Sequence, residues 1–154
     1  MIKAAPSPER INPAGCNCLA LRQATRHVSQ FYDQFLAASG LRGTQYSILA
    51  RLHRNGPMSI NTLAAELVMD RTTLGRNILP LQRDGLIAIA PGRIDRRSKE
   101  LTLTKAGAAQ FRIASAGWNE AQARFEIAFG GKRAKALRAL MHEVATNAAI
   151  AISA

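Results

Sequence analysis

Apolar residues recur every three or four positions over most of this chain, and the breaks in that rhythm mark its joints. Leu21, Ala24, Val28, Phe31 and Phe35 predict a long first helix that ends at Ser39-Gly40. Tyr46, Leu49 and Leu52 lie on the packing side of a second helix, from about Thr44 to Arg54, which Gly56-Pro57 stops. Ile60, Leu63, Ala64 and Leu67 then give one stripe of a short amphipathic helix. After Val68-Met69, the side-chain oxygen of Asp70 can accept backbone N–H groups two or three residues on and start a further helix at Arg71. The order is helix, turn, helix.

On a wheel of about 100° per residue, Leu74, Ile78 and Leu81 share one side of that helix. Thr72, Thr73, Arg76 and Arg83 share the other, with Gly75 at the flank, where a missing side chain lets the backbone approach a neighbouring surface. Pro80 removes a donor and is expected to bend the helix or end it early. The helix nevertheless reads as continuing to Arg83, since Leu81 stays in phase with the packing stripe and Asp84-Gly85 supplies a left-handed stop.

The period then shortens to two. Leu86–Ala90 reads as a strand, residues 91–99 as a turn carrying Arg93, Arg96, Arg97 and Lys99, and Glu100–Leu103 as the returning strand. Asp95 lies two residues before Arg97 and is expected to brace its guanidinium. Thr104 can cap a long helix through Phe111, Trp118, Phe125 and Phe129, which Gly130-Gly131 breaks. A last helix carries Leu137, Leu140, Met141, Val144, Ala148 and Ile152. No internal repeat or low-complexity tract occurs.

Charge sharpens this picture. The chain has 154 residues, length for one domain with a core, and a formal net charge of +11. Between Asp70 and Lys105 lie Arg71, Arg76, Arg83, Arg93, Arg96, Arg97, Lys99 and Lys105, against Asp70, Asp84, Asp95 and Glu100. Such an excess attracts a polyanion through counterion release. Arg on an outward helix face can bind guanine O6 and N7 in the major groove, and Thr can meet a thymine methyl or a phosphate. An Arg at a hairpin tip is shaped for the narrow, electronegative minor groove. No apolar run approaches the roughly 20 residues a membrane span needs.

The sequence resembles the MarR family of bacterial transcription regulators. The resemblance rests on Gln45-Tyr46-Ser47-Ile48-Leu49, on Leu63-Ala64 with Arg71-Thr72-Thr73 and Arg76, and on Arg83-Asp84-Gly85-Leu86-Ile87. The wing's Asp95-Arg96-Arg97 and Leu101-Thr102-Leu103-Thr104-Lys105-Ala106-Gly107 complete it, and coverage runs from about Cys18 to the C-terminus. It implies a mainly α fold with α+β winged helix-turn-helix core: about six helices, a small β-hairpin wing and a helical dimerisation region drawn from both termini. It further implies that the helix from Arg71 reads the major groove and that Arg97, oriented by Asp95, reads the minor groove. The DNA-binding set is then Thr72, Thr73, Arg76, Asn77, Arg93, Asp95, Arg96 and Arg97. Pro80 departs from the commonest pattern.

These readings divide the chain into an N-terminal arm over 1–14, a winged helix-turn-helix over 41–104, and a dimerisation region over 15–40 and 105–154. The partners expected are double-stranded DNA, a second copy of the chain and a small-molecule effector. Two-fold pairing would set the reading helices roughly 34–36 Å apart and call for a pseudo-palindromic operator. The expected output is repression, relieved by a phenolic or aromatic anion, with Arg22, Arg26, Tyr46 and His53 as candidate effector contacts.

The alternatives are nonspecific architectural DNA binding and peroxide sensing through Cys16 or Cys18, with Tyr32 or Tyr46 nearby as in the family's organic-peroxide sensors. At the start of the first helix, the helix dipole and Arg22 would favour a thiolate. The Cys-x-Cys spacing and scattered His27, His53 and His142 give no metal site, and no cofactor is expected. No phosphate loop, Ser-His-Asp set or HExxH pattern suggests an enzyme. The N-terminal residues, with two prolines and no long apolar stretch, read as an arm and not a secretory signal, so a cytoplasmic protein with reduced thiols is expected.

Overall fold

A computed structural model describes residues 12–147. The arm expected over 1–14 therefore falls, up to residue 11, outside the described residues, as do Ala148 and Ile152 of the last apolar stripe. Among the described residues there are six α-helices and a three-stranded antiparallel sheet: α1 (Asn17–Leu36), α2 (Gly43–Asn55), β1 (Met58–Ser59), α3 (Ile60–Glu66), α4 (Arg71–Arg83), β2 (Ile87–Pro91), β3 (Lys99–Leu103), α5 (Lys105–Phe129) and α6 (Gly131–Thr146). This is the winged helix-turn-helix architecture expected from the sequence.

The helix ends show why these segments start and stop there. Beyond α1, a 3-10 turn over Ala37–Ser39 closes on Gly40 in the left-handed region. Buried Ser39 donates its hydroxyl to the Leu36 carbonyl at 2.6 Å. Ser59 caps α3 by accepting the Thr62 N–H at 3.0 Å, and Asp70 caps α4 by accepting the Thr73 N–H at 2.8 Å. Between those helices, the Val68 N–H donates to the Ala65 carbonyl and the Met69 N–H to the Ala64 carbonyl. Val68 closes this turn at φ 52°, a conformation costly for a β-branched residue.

Leu36, Ile48, Leu49, Leu52, Leu63, Leu74, Leu81 and Leu101 are the fully buried large side chains, so the core lies between α1–α4 and the sheet. Each contributes about 1.5–3 kcal/mol by leaving water. Leu74, Ile78 and Leu81 all face it, and α4 runs unbroken through Pro80 to Arg83. The helix thus reaches Arg83 as the phase of Leu81 predicts, without the early end that Pro80 alone would suggest. Packing of Leu81, which is 1% exposed, offsets the lost backbone bond, and Gly85 at φ 70° provides the stop.

In the sheet, β3 lies between β1 and β2, with Met58 opposite Leu101 and Ile89 opposite the same residue on the other side. The hairpin matches the sequence reading to within one residue at each end. β1 is an addition to it. The wing is tied to α5 by Thr104, whose hydroxyl donates to the Gly85 and Leu86 carbonyls at 2.7 and 3.0 Å and accepts the Gly107 N–H at 2.9 Å. Gly107 is buried there, and a Cβ would collide with the Leu86 carbonyl. A second close crossing joins α5 to α1, where Gly117 lies against the carbonyl of Phe35.

Candidate nucleic-acid interface

The core that swallows Leu74, Ile78 and Leu81 forces the opposite side of α4 outward. Arg71, Thr72, Thr73, Arg76 and Arg83 are all exposed. The cap organises the first turn: Asp70 accepts the Thr73 N–H through one oxygen and the Thr73 hydroxyl, at 2.6 Å, through the other. These bonds, the hydroxyl's first, hold the Asp70 carboxyl below the ordinary range, so it is charged at neutral pH. The Thr73 hydroxyl proton is therefore committed, and Thr72 has the free hydroxyl. Asn77, half-buried, donates its amide to the Thr73 carbonyl at 2.9 Å and presents its side-chain oxygen. Gly75 has nothing within 4 Å of where a Cβ would stand, so the helix backbone is bare on that flank.

Leu79 was not among the sequence candidates, yet it is 64% exposed. It lies about 20° from Thr72 on the wheel, at the edge of the outward face on the Gly75 side. Its register, out of step with Leu74, Ile78 and Leu81, is the signal that marks it.

Arg93, Arg96 and Arg97 are exposed on the wing between β2 and β3. Asp95 does not brace the Arg97 guanidinium. Its carboxylate accepts the Arg97 backbone N–H at 2.9 Å, and its carbonyl accepts the Ser98 N–H at 3.0 Å and the Ser98 hydroxyl at 2.7 Å. A carboxylate two residues upstream reaches the main chain more readily than the end of a long side chain, so the acid shapes the turn. The Gly92 N–H closes the loop onto the Ser98 carbonyl at 2.8 Å. The guanidinium is left without an ion pair to Asp95.

The four effector candidates are not gathered. Arg22 and Arg26 are exposed on the first half of α1. Tyr46 is buried, stacked between Phe111 and Trp118 at centroid distances of 5.3 and 5.7 Å, and His53 packs on Phe111 at 4.7 Å. A cavity of about 420 Å³ opens instead between α1, α5 and α6, lined by none of the four. Its polar wall is a chain. Tyr32 donates to Gln122 at 2.6 Å, Gln122 to Glu126 at 2.8 Å, and Arg138 to the same Glu126 oxygen at 2.9 Å. Burial raises the Tyr32 phenol above its ordinary value, so it keeps the proton it donates. The Gln122 and Arg138 bonds lower Glu126.

Cys16 and Cys18 are exposed free thiols, and Cys16 caps α1 by accepting the Leu19 N–H at 3.4 Å. The pairing with tyrosine is not formed within the chain. Tyr32 lies 14 residues beyond Cys18 on one helix, about 21 Å along its axis, and Tyr46 is enclosed by α5. Among the described residues, no cluster of three His, Cys, Asp or Glu side chains could hold a metal ion, and no helix is long and apolar enough to cross a membrane.

Comparisons with known proteins converge on this geometry. The MarR family profile matches residues 41–99, from just before α2 to the first residue of β3. The chain is 40% identical over 74 residues to the transcriptional activatory protein BadR of Rhodopseudomonas palustris, a match spanning 46% of this chain and 42% of BadR. The M. tuberculosis transcriptional regulator MosR, solved in complex with DNA, is 34% identical with a TM-score of 0.71, over 85% of this chain and 98% of MosR. A MarR-family regulator from Rhodococcus sp. RHA1, at 19% identity, shares the fold with a TM-score of 0.73, over 84% of this chain and 94% of that one. A capped outward-facing helix, a locked basic wing and near-complete coverage of a DNA-bound regulator lead to one assignment: this chain belongs to the MarR family of DNA-binding transcription regulators.

Proposed function

We propose that the chain acts as a homodimeric repressor that reads a pseudo-palindromic operator and is released by a small aromatic ligand. The observation that carries the reading is the shared exposure of Thr72 and Arg76 on α4 and of Arg93, Arg96 and Arg97 on the wing, on two elements joined to one core. In this reading Arg76 and Thr72 meet base edges in the major groove, with Thr73 and Asn77 as acceptors beside them, and Arg97 enters the flanking minor groove. Arg93 and Arg96 hold phosphates, and Asp95 keeps the loop in shape.

Dimerisation through residues 15–40 and 105–154 is supported by the apolar side chains that one chain leaves in water. Leu19, Ile113, Ile127, Leu140, Met141 and Val144 are all exposed on α1, α5 and α6, and Ala134 is the one buried residue of α6 among those described. Such a surface favours a partner. The α1–α5–α6 cavity lies among the same helices, so a ligand there would alter how the two reading heads are spaced, given a different affinity for the two states. Arg138 already spends its charge on Glu126, which favours a phenolic hydroxyl over a carboxylate as the ligand's polar end.

Selection of duplexes from a randomised pool tests the reading. Recovery of an inverted repeat with half-sites about one helical turn apart is the expected result. Recovery without any motif would establish architectural binding in its place.

A further inference from the structure

The wing carries one fully exposed apolar side chain that contributes nothing to the fold. Ile94 is 103% exposed and stands between Arg93 and Asp95, with Arg96 and Arg97 following. The loop closes without it, through the bonds of Gly92, Asp95, Arg97 and Ser98 to one another. Gly92 is buried, and a Cβ there would collide with the Ser98 hydroxyl and the Asp95 carbonyl, so the backbone at the tip has little room to rearrange.

The consequence is an apolar group held out on a stiff support. Its β-branch restricts χ1 as well, so covering it sacrifices little freedom. Single exposed apolar residues are ordinary on protein surfaces. What distinguishes Ile94 is its company, since three exposed guanidinium groups on the same loop draw the tip toward rows of phosphate. Between such rows, the minor groove is walled by deoxyribose C–H groups, and isoleucine is among the side chains that proteins wedge there.

We propose that Ile94 is the apolar tip of the wing, seated against the deoxyribose walls of the minor groove that Arg97 enters, while Arg93 and Arg96 hold the flanking phosphates. This rests on the reading of the wing as a DNA contact, and it adds to that reading a component that salt does not weaken. Counterion release counts the charges neutralised, and Ile94 neutralises none.

The test compares wild type, Ile94→Ala, Ile94→Val and Arg97→Ala. Each is titrated over a series of salt concentrations against the duplex that wild type most enriches from a randomised pool, and thermal melting is recorded for each. Ile94→Ala is expected to bind about tenfold more weakly at every salt concentration, with an unchanged slope of log affinity against log salt and unchanged melting. Ile94→Val retains most of the affinity. Arg97→Ala flattens the slope by about one per protomer. Wild-type affinity in Ile94→Ala, with Arg97→Ala weakened, overturns the assignment of Ile94 and leaves the wing reading standing. Wild-type affinity in both overturns the wing reading itself. A changed slope or lowered melting in Ile94→Ala also overturns the assignment, because the side chain would then act through charge placement or through the fold.

Discussion

Asp95 holds Arg97 by its main chain: the carboxylate accepts the Arg97 N–H at 2.9 Å while the guanidinium stays in solvent, available to a ligand. One residue thus sets the shape of the wing and the next but one carries its charge. Their substitutions separate accordingly. Arg97→Ala should weaken operator binding and flatten its salt dependence with no change in melting. Asp95→Ala should also weaken binding, about tenfold for the loss of one charged hydrogen bond from a loop that must be ordered, but with the salt slope kept. Gel-shift titrations at several ionic strengths distinguish the two.

Gly75 sets stability against recognition. In the interior of α4 it costs roughly 1 kcal/mol relative to alanine, and a Cβ there meets nothing within 4 Å. Gly75→Ala should therefore raise the melting temperature by a few degrees. If the bare flank is where the helix backbone approaches DNA, the same variant binds the operator more weakly. Calorimetry and binding titration on one sample check both halves, and a stabilised variant with unchanged affinity would move the DNA contact elsewhere on α4.

Gly117 gives the opposite sign from the same substitution. Alanine again favours the helix by roughly 1 kcal/mol, but its Cβ would strike the Phe35 carbonyl, and backbone can yield only by moving α1. Overpacking of this kind costs typically 1–3 kcal/mol, so Gly117→Ala should lower stability overall. Denaturant unfolding measures the net effect.

The Asp70 cap makes α4 sensitive to acid. Its carboxyl titrates below the ordinary value because the Thr73 hydroxyl and N–H bind the charged form. With the folded value depressed, the stabilisation is complete above the unfolded value and is lost as pH falls through the folded one. Asp70→Asn keeps an acceptor but does not titrate there, so its melting should fall less steeply below the carboxylate range than that of wild type. Asp70→Ala should be less stable than either at neutral pH. Thermal melting as a function of pH checks the order.

Much of this was legible in the chain because local signals and global packing agree. Asp70, Gly85, Thr104 and Gly130 mark helix ends through chemistry that acts within four residues, and the three-to-four rhythm of leucines needs no knowledge of the partner element. What escaped reading depends on distant residues. β1 is two residues long and exists because Met58 meets Leu101, a pairing without periodicity of its own. The α1–α5–α6 cavity draws on Tyr32, Gln122 and Arg138, widely spaced in sequence. The Asp95 contact was misread because spacing locates a pair without saying whether side chain or main chain closes it.

Footprinting the selected duplex in the presence of the protein tests the central claim most directly, since guanine N7 methylation reports the major groove and hydroxyl-radical cleavage the minor-groove edge. Two α4 helices and two wings predict paired blocks of N7 protection with centres roughly 34–36 Å apart, each with minor-groove protection at its outer side that Arg97→Ala removes. Uniform protection along the duplex, or N7 protection unaffected by Arg76→Ala, would contradict the account.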